Sequence, residues 1–176
     1  MDTDVLVKSA CREILDYTRD RKSCLIFTSG IEHGGHVAKT LRGMGAQAET
    51  VFGETVDFER DRTLQEFRAG GLRYLVNVNV ITTVLDAPSI DCVAMLRPTM
   101  SPGLWYQCCG RGFRLHPGKE NCLILDYGGN ALRHGPIDAL KTTDPRCGRN
   151  GDAPAKECPQ CHSVVGAGYS VCPDCG

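Results

Sequence analysis

The sequence lacks any long apolar run and any excess of charge of one sign. No stretch approaches the ~18–20 consecutive apolar residues that a helix needs to span a bilayer, and segment 1–14 has no basic region followed by an apolar one, as a secretory signal would. The 20 lysines and arginines stand against 21 aspartates and glutamates. These absences exclude a membrane span and a charge field over the whole surface, so any surface for an anionic partner is local. We expect a cytoplasmic protein that does not contact a membrane.

Cysteine, by contrast, is abundant, with 11 residues, an odd number that cannot all pair internally. Without a secretory signal, patterned cysteines indicate metal binding or catalysis. Four form two C-P-x-C units: Cys158, Cys161, Cys172 and Cys175. Two such units supply the four thiolates of a closed tetrahedral site, and so short a segment needs the metal to fold. The pattern predicts structural Zn²⁺, with rubredoxin-like iron and a redox disulfide as alternatives. His162 follows a ligand and is expected to be a bystander. Several of the remaining cysteines are expected to be small apolar core residues.

Short, continuous apolar runs alternate with periodic segments in the order β-α-β-α-β and then β-α-β, with a helix predicted over 102–115. Continuous rather than alternating apolar runs indicate strands that are covered on both faces. The fold class is therefore predicted to be α/β, a parallel sheet with helices on both faces. Ligands of such sheets bind in the loops after the carboxyl ends of strands, here 28–30, 81–88, 97–101 and 126–130. The last strand, 123–126, mimics the second nucleotide-binding motif, but a strand that ends in aspartate is common, and Asp126 is expected to be structural.

The composition of the sequence changes after about residue 140, where glycine, proline and aspartate are frequent and the apolar periodicity ends. We predict a domain over 1–140, a linker over 141–156 and a four-cysteine zinc ribbon over 157–176.

One stretch carries charge of a single sign. Between Cys92 and Lys119 there is no acidic residue and there are four cations: Arg97, Arg111, Arg114 and Lys119. Arg111 and Arg114 are three residues apart and would share one face of a helix. Guanidinium groups suit phosphate oxygens. A phosphate site and a solvated basic face both fit this spacing.

Four segments resemble the motifs of superfamily 2 helicases, in that family's order. Q-x-x-G-R-x-x-R at 107–114, which follows a strand and a Pro-Thr-x-Ser-Pro loop, resembles motif VI. Segment 76–88, which includes Asp-Ala-Pro, resembles motif V, and segment 25–29 resembles motif IV. Residues 53–55, 60 and 67–70 resemble the region between motifs IV and V. Over about 20–130 the chain is similar to the second RecA-like lobe of a DEAD/DEAH-type helicase. It is most similar to the phage and bacterial DNA helicases related to type III restriction subunits, which often carry a CPxC zinc ribbon behind that lobe.

The resemblance implies roles for the motif residues. Arg111 and Arg114 would be arginine fingers that reach the γ-phosphate of ATP bound on the other lobe, with Gln107 positioning the motif. Asp86 and Gly110 would belong to the nucleotide site, Asp86 by contacting the ribose or by linking motif V to motif VI. Contacts to a nucleic-acid backbone would come from Thr28, Ser29, Thr82 and Thr83. Turn capping is the structural alternative for these hydroxyls, and Cys108 and Cys109 are expected to pack within the helix.

The sequence departs from the family at Val84, where glycine is usual. A β-branched residue resists the backbone conformations that glycine permits, so the loop of motif V is in doubt. This departure favours the alternative function, a non-catalytic, zinc-containing nucleic-acid-binding module. The intact Gln107, Arg111 and Arg114 favour a helicase.

The sequence also contains no P-loop and no Asp-Glu pair. The nearest P-loop match, Gly112 to Lys119, has five residues between its glycines instead of four, and Glu120 replaces the metal-binding hydroxyl. We therefore expect no ATP hydrolysis from this chain alone. ATP and Mg²⁺ would bind together with an N-terminal RecA-like lobe, in cis if the chain is part of a longer helicase or in trans if it completes another protein's site. The resemblance favours DNA over RNA as the nucleic-acid partner.

Overall fold

The computed structural model describes residues 4–78, 87–139, 155–166 and 169–176. Helices and strands alternate through the first two ranges. The helices are α1 Asp4–Tyr17, α2 Ile31–Gly43, α3 Asp57–Arg68, α4 Pro102–Gly110 and α5 Asn130–His134, with a 3₁₀ turn at Ile137–Ala139. The strands are β1 Cys24–Thr28, β2 Ala48–Phe52, β3 Tyr74–Val78, β4 Cys92–Met95, β5 Leu123–Asp126, β6 Ala155–Glu157 and β7 Val164–Gly166.

The first five strands form one sheet in the order β2-β3-β1-β4-β5, and every pairing in it is parallel. In the central strand β1, Cys24 lies between Tyr74 of β3 and Cys92 of β4. Strands β1, β3 and β4 are buried along their whole length, whereas the edge strand β5 is half-buried. Complete burial explains why these runs are continuously apolar rather than alternating.

Helices cover both faces of this sheet, because alternate residues of each strand point to opposite sides. Cys24 and Ile26 of β1 pack in a cluster with residues of α1 and α2, among them Ile14. Leu25 and Phe27 pack in a second cluster with residues of α3 and α4. Each buried aliphatic side chain of this kind contributes about 1.5–3 kcal/mol to folding. The predicted parallel α/β sheet of RecA type, with helices on both faces, is confirmed.

The C-terminal cysteine segment has its own small sheet, in which β6 and β7 are antiparallel and Lys156 lies opposite Val165. Each strand has three residues, and Cys158 and Val165 are the hydrophobic residues buried within the described part of this segment. So small an apolar interior cannot stabilise a domain alone. The four cysteines are therefore the feature that must hold this segment together.

Candidate functional site

Helix α4 leads into the basic stretch and ends earlier than the sequence indicated. It begins at Pro102, where the hydroxyl of Ser101 accepts a hydrogen bond of 3.2 Å from Leu104 N. It lies within the stretch 102–115 that was predicted to hold a helix, but it ends at Gly110 and does not reach Arg114. Arg111 caps the helix and Arg114 lies beyond it, so the two arginines do not share a helix face.

Close packing at Gly112 explains this early end. A Cβ atom at this position would lie 2.2 Å from Cys122 Sγ and 3.1 Å from Val93 Cγ2. Gly110 and Gly112 are poor helix formers, and the backbone turns inward where only glycine fits. The segment that follows, residues 111–118, is called the arginine loop below.

The arginine loop lies at the amino end of β4 and β5. Helix α4 runs back from the carboxyl end of β4, which brings Gly112 against Cys122, the residue before β5. Arg111 and Arg114 are both half-buried there, and Gln107 is exposed on α4. Gly110, the last helical residue, is half-buried. The arginines therefore do not lie at the carboxyl end of the sheet, where parallel α/β sheets usually bind their ligands.

Lys119 holds the arginine loop in place, a role that the sequence did not reveal. Its ammonium donates hydrogen bonds to three backbone carbonyls, those of Gly112 at 2.6 Å, Arg114 at 2.9 Å and Pro88 at 3.3 Å. Pro88 ends the segment that resembles motif V. Lys119 thus joins the ends of the motif V-like and motif VI-like segments.

The motif IV-like segment lies at the opposite, carboxyl end of the sheet. Ser29 is exposed, and its hydroxyl lies 2.9 Å from Nδ1 of His33. Thr28 is fully buried, and its hydroxyl would lie 3.0 Å from a Cβ at Gly34. The prediction that the Thr28 hydroxyl contacts a nucleic-acid backbone is inconsistent with this burial. Ser29 also borders a cavity of about 550 Å³ between α1 and the ends of β4 and β5.

Residues 79–86 of the motif V-like segment, which include Thr82, Thr83, Val84 and Asp86, lie outside the described residues.

Asp126 and Asn130 fix the loop that follows β4. Asn130 is fully buried; its Oδ1 accepts a 2.7 Å bond from Thr99 N, and its Nδ2 donates 2.9 Å bonds to Arg97 O and to Asp126 Oδ1. Asp126 also accepts bonds from the backbone N–H groups of Gly128 and Ala131. The structural role predicted for Asp126 is confirmed, whereas no sequence pattern indicated Asn130.

Cys108 and Cys109 lie inside the motif VI-like segment but are fully buried in the core. Burial raises the pKa of the Cys108 thiol to about 11 and raises that of Cys109 further. Neutral, buried thiols are poor nucleophiles. The prediction that these two cysteines serve packing is confirmed.

The four patterned cysteines converge on one point. Their Sγ atoms all lie within 4.8 Å of one another, with Cys158 and Cys175 3.7 Å apart and Cys161 and Cys172 3.6 Å apart. Bonds of ~2.3 Å to a tetrahedral Zn²⁺ place sulfurs about 3.8 Å apart, whereas a disulfide needs ~2.05 Å. The donor set and its spacing fit a four-thiolate metal ion.

Local hydrogen bonds lower the pKa of two of these thiols, whereas contacts with the neighbouring cysteines raise the pKa of a third. Backbone N–H groups of Cys161 and Gln160 lower the pKa of Cys158, and hydrogen bonds from Ser163 lower that of Cys161 to about 6. Hydrogen bonds with the other three cysteines raise the pKa of Cys175 to about 12. Four thiolates at this spacing need a cation between them.

Among the described residues, no helix is both long and apolar enough to cross a membrane.

Comparison with known proteins agrees with this geometry. Residues 6–116 match the family "Helicase conserved C-terminal domain". The chain is 45% identical over 116 residues to irc3 of Schizosaccharomyces pombe, whose name describes a mitochondrial ATP-dependent helicase; the match covers 66% of this chain and 19% of irc3. It is 26% identical over 172 residues to a 51.5 kDa protein of a Lactococcus phage, which covers 94% of this chain and 38% of the phage protein. The chain thus spans well under half the length of these relatives.

Solved structures show the same fold. A fragment of an HsdR subunit of a type I restriction enzyme from Vibrio vulnificus superposes with a TM-score of 0.67 at 20% identity, over 78% of this chain and 30% of that one. The Escherichia coli DEAD-box protein SrmB, in complex with a regulator of ribonuclease activity, superposes with a TM-score of 0.64 at 19% identity, over 77% of this chain and 79% of that one. With the parallel sheet and the match over 6–116, these results establish that the chain belongs to the helicase conserved C-terminal domain family and has its RecA-like fold.

Proposed function

We propose that this chain is the second lobe of an ATP-dependent DNA helicase or translocase, and that it supplies Arg111 and Arg114 to ATP and Mg²⁺ bound on a P-loop lobe. The lobe would extend over 1–140, followed by a linker over 141–156 and a zinc ribbon over 157–176. One observation carries the proposal. Both arginines stand half-exposed on the arginine loop, just beyond α4, where Lys119 joins that loop to Pro88.

Guanidinium groups at this place can stabilise phosphoryl transfer. The transferred phosphoryl group carries charge on its peripheral oxygens, and a cationic fork that contacts those oxygens lowers the barrier. Gln107, exposed on α4 one turn before Arg111, would position the motif. Gly110, the last residue of the helix, would belong to the nucleotide site beside Arg111. Asp86 would contact the ribose or link the two motifs.

Nucleic acid would bind at the other end of the sheet. Ser29 is exposed there and can contact a phosphate with its hydroxyl, together with Thr82 and Thr83. Thr28 has no place in this set because it is buried. Contacts to the backbone carry no sequence information, which suits an enzyme that moves along a strand.

The ribbon would hold one structural Zn²⁺ through Cys158, Cys161, Cys172 and Cys175. Four thiolates leave no open coordination position, so this ion has no place in hydrolysis. Its contribution is the folding free energy of a segment with almost no core.

Hydrolysis of ATP by the chain fused behind a P-loop lobe from a helicase of this family tests the proposal. We expect no turnover from the chain alone and nucleic-acid-stimulated turnover from the fusion. Replacing Arg114 or Arg111 with alanine should lower kcat by about 10³-fold or more, the usual effect of losing an arginine finger. Arg12→Ala, on an exposed site of α1, is the matched control and should leave kcat unchanged.

Robust ATPase activity of the chain alone would contradict the proposal, as would full activity of the Arg114→Ala fusion. Comparing single-stranded DNA with RNA of the same length as the stimulating strand tests the choice of DNA. Salt-sensitive binding to nucleic acid with no ATPase in any fusion would instead indicate a non-catalytic binding module.

A further inference from the structure

The sequence around Lys119 resembles a P-loop only superficially, and the structure shows a different local geometry. His116, Pro117, Gly118 and Lys119 form a tight turn in which Lys119 N donates a 3.1 Å bond to His116 O. Pro117 occupies the second position, and Gly118 occupies the third with a φ of +73°. This is the residue pattern of a type II turn. The turn reverses the chain and directs the lysine side chain back along the arginine loop.

The Lys119 ammonium makes three hydrogen bonds, one for each of its protons. The acceptors are the carbonyls of Gly112, Arg114 and Pro88, and two of these lie in the arginine loop itself. Lysine offers three donors and no acceptor, so these contacts use its full capacity. Partial burial of the side chain lowers the pKa of Lys119. An ammonium placed against three carbonyls in this way fixes backbone positions rather than contacting a ligand.

These contacts act on the residues to which the proposed function assigns the chemistry. The Arg114 carbonyl is bonded directly, and the Gly112 carbonyl follows Arg111 by one residue. The third acceptor, the Pro88 carbonyl, lies outside the arginine loop, at the end of the motif V-like segment. The backbone N–H groups of Arg111, Gly112 and Phe113 still donate to the carbonyls three residues earlier. Lys119 adds side-chain bonds to the carbonyls of Gly112 and Arg114, which carry the support further along the loop.

We infer that Lys119 is a positioning residue for ATP hydrolysis, which holds the backbone of Arg111 and Arg114 against Pro88 so that the arginines meet the phosphate in the productive geometry. The inference rests on the proposed function. Lys119 itself does not touch the nucleotide; it acts through the arginines. A displacement of about 1 Å of a catalytic group can cost about 10²-fold in rate, so the loss of this anchor should be visible in kcat.

The test uses the P-loop-lobe fusion described above and the variant Lys119→Met, which keeps the stem and removes the ammonium. We expect kcat to fall by about 10²-fold while the KM for ATP changes little, because the arginines act mainly in the transition state. Lys119→Arg keeps a charged donor and should retain more activity than Lys119→Met. Lys39→Met, on the exposed side of α2, is the matched control and should behave like the unmodified fusion.

A double variant separates positioning from a general structural effect. If Lys119 acts through the two arginines, Lys119→Met should lower kcat by clearly less in the Arg114→Ala background than in the unmodified fusion, because only Arg111 is left to position. An equal further loss in that background would overturn the inference, as would an unchanged kcat in Lys119→Met. Should Lys119→Met fail to fold, Lys119→Arg is the deciding variant. We expect Lys119→Arg to fold, with a kcat several-fold lower and an unchanged KM. A wild-type kcat in Lys119→Arg would overturn the inference. Full activity of the Arg114→Ala fusion would refute both the proposed function and this inference. An inactive Arg114→Ala fusion together with a fully active Lys119→Met fusion would refute only the inference.

Discussion

Replacing Asn130 with alanine removes the side chain that joins the end of β5 to the loop after β4. Asn130 is fully buried and makes three hydrogen bonds, with Thr99 N, Arg97 O and Asp126 Oδ1. Thr99, which is 6% exposed, would lose the acceptor of its backbone N–H. The substitution therefore leaves polar groups buried without partners, which is more costly than the loss of a bond at the surface.

The size of the effect follows from this arrangement. Each buried group that loses its partner costs about 1–3 kcal/mol. Asp126 keeps its bonds from Gly128 and Ala131, so the main losses are at Thr99 and Arg97. We expect the free energy of unfolding to fall by about 2–6 kcal/mol, a large share of the 5–15 kcal/mol that is typical of a domain.

Urea unfolding followed by tryptophan fluorescence measures this loss. Trp105 is the single tryptophan of the sequence and is buried in α4, so its signal reports the lobe. With an m value of about 2 kcal/mol/M, the midpoint should fall by about 2 M. Asn121→Ala removes a surface contact with Arg21 and should shift the midpoint by less than about 0.3 M. An Asn130→Ala midpoint within that same small margin of the unmodified chain would refute the reasoning.

Two further predictions concern packing and metal binding. Gly112→Ala places a methyl group 2.2 Å from Cys122 Sγ and should lower the free energy of unfolding by about 1–3 kcal/mol in the same assay, whereas Gly35→Ala, with no atom within 4 Å of its Cβ, should not lower it. The purified chain should contain about one Zn²⁺ by elemental analysis, as a four-thiolate site requires; Cys161→Ser and Cys175→Ser should lose it, and Cys147→Ser should not. Stoichiometric iron, or a disulfide between C-P-x-C cysteines in place of metal, would contradict the zinc assignment.

Much of the fold could be predicted from the sequence because its main signals are local. The apolar run from Cys24 to Phe27 is continuous, and in the structure its residues divide between clusters on the two faces of the sheet. Cys108 and Cys109 are buried, as small apolar residues of an interior helix would be. The spacing of Cys158, Cys161, Cys172 and Cys175 predicted a common centre, and their sulfurs converge.

The features that the sequence did not predict share a physical origin, because each depends on contacts between residues far apart in sequence. The end of α4 is set by Gly112 packing on Cys122, a contact that helix propensities do not contain. Pro117-Gly118 is a turn signal that could have been used, yet it does not say that the next side chain reaches Pro88, 31 residues earlier. The same distance in sequence separates Asn130 from Thr99.

The two proposed sites lie near opposite ends of helix α4. Its first turn follows the loop that Asn130 fixes at the carboxyl end of the sheet, the same end at which Ser29 is exposed. Its last residue leads directly into the arginine loop at the amino end. Nine helical residues at about 1.5 Å each span roughly 13 Å, which matches the length of a four-residue strand. Asn130 therefore fixes the loop that leads into α4, and Lys119 fixes the loop that leads out of it.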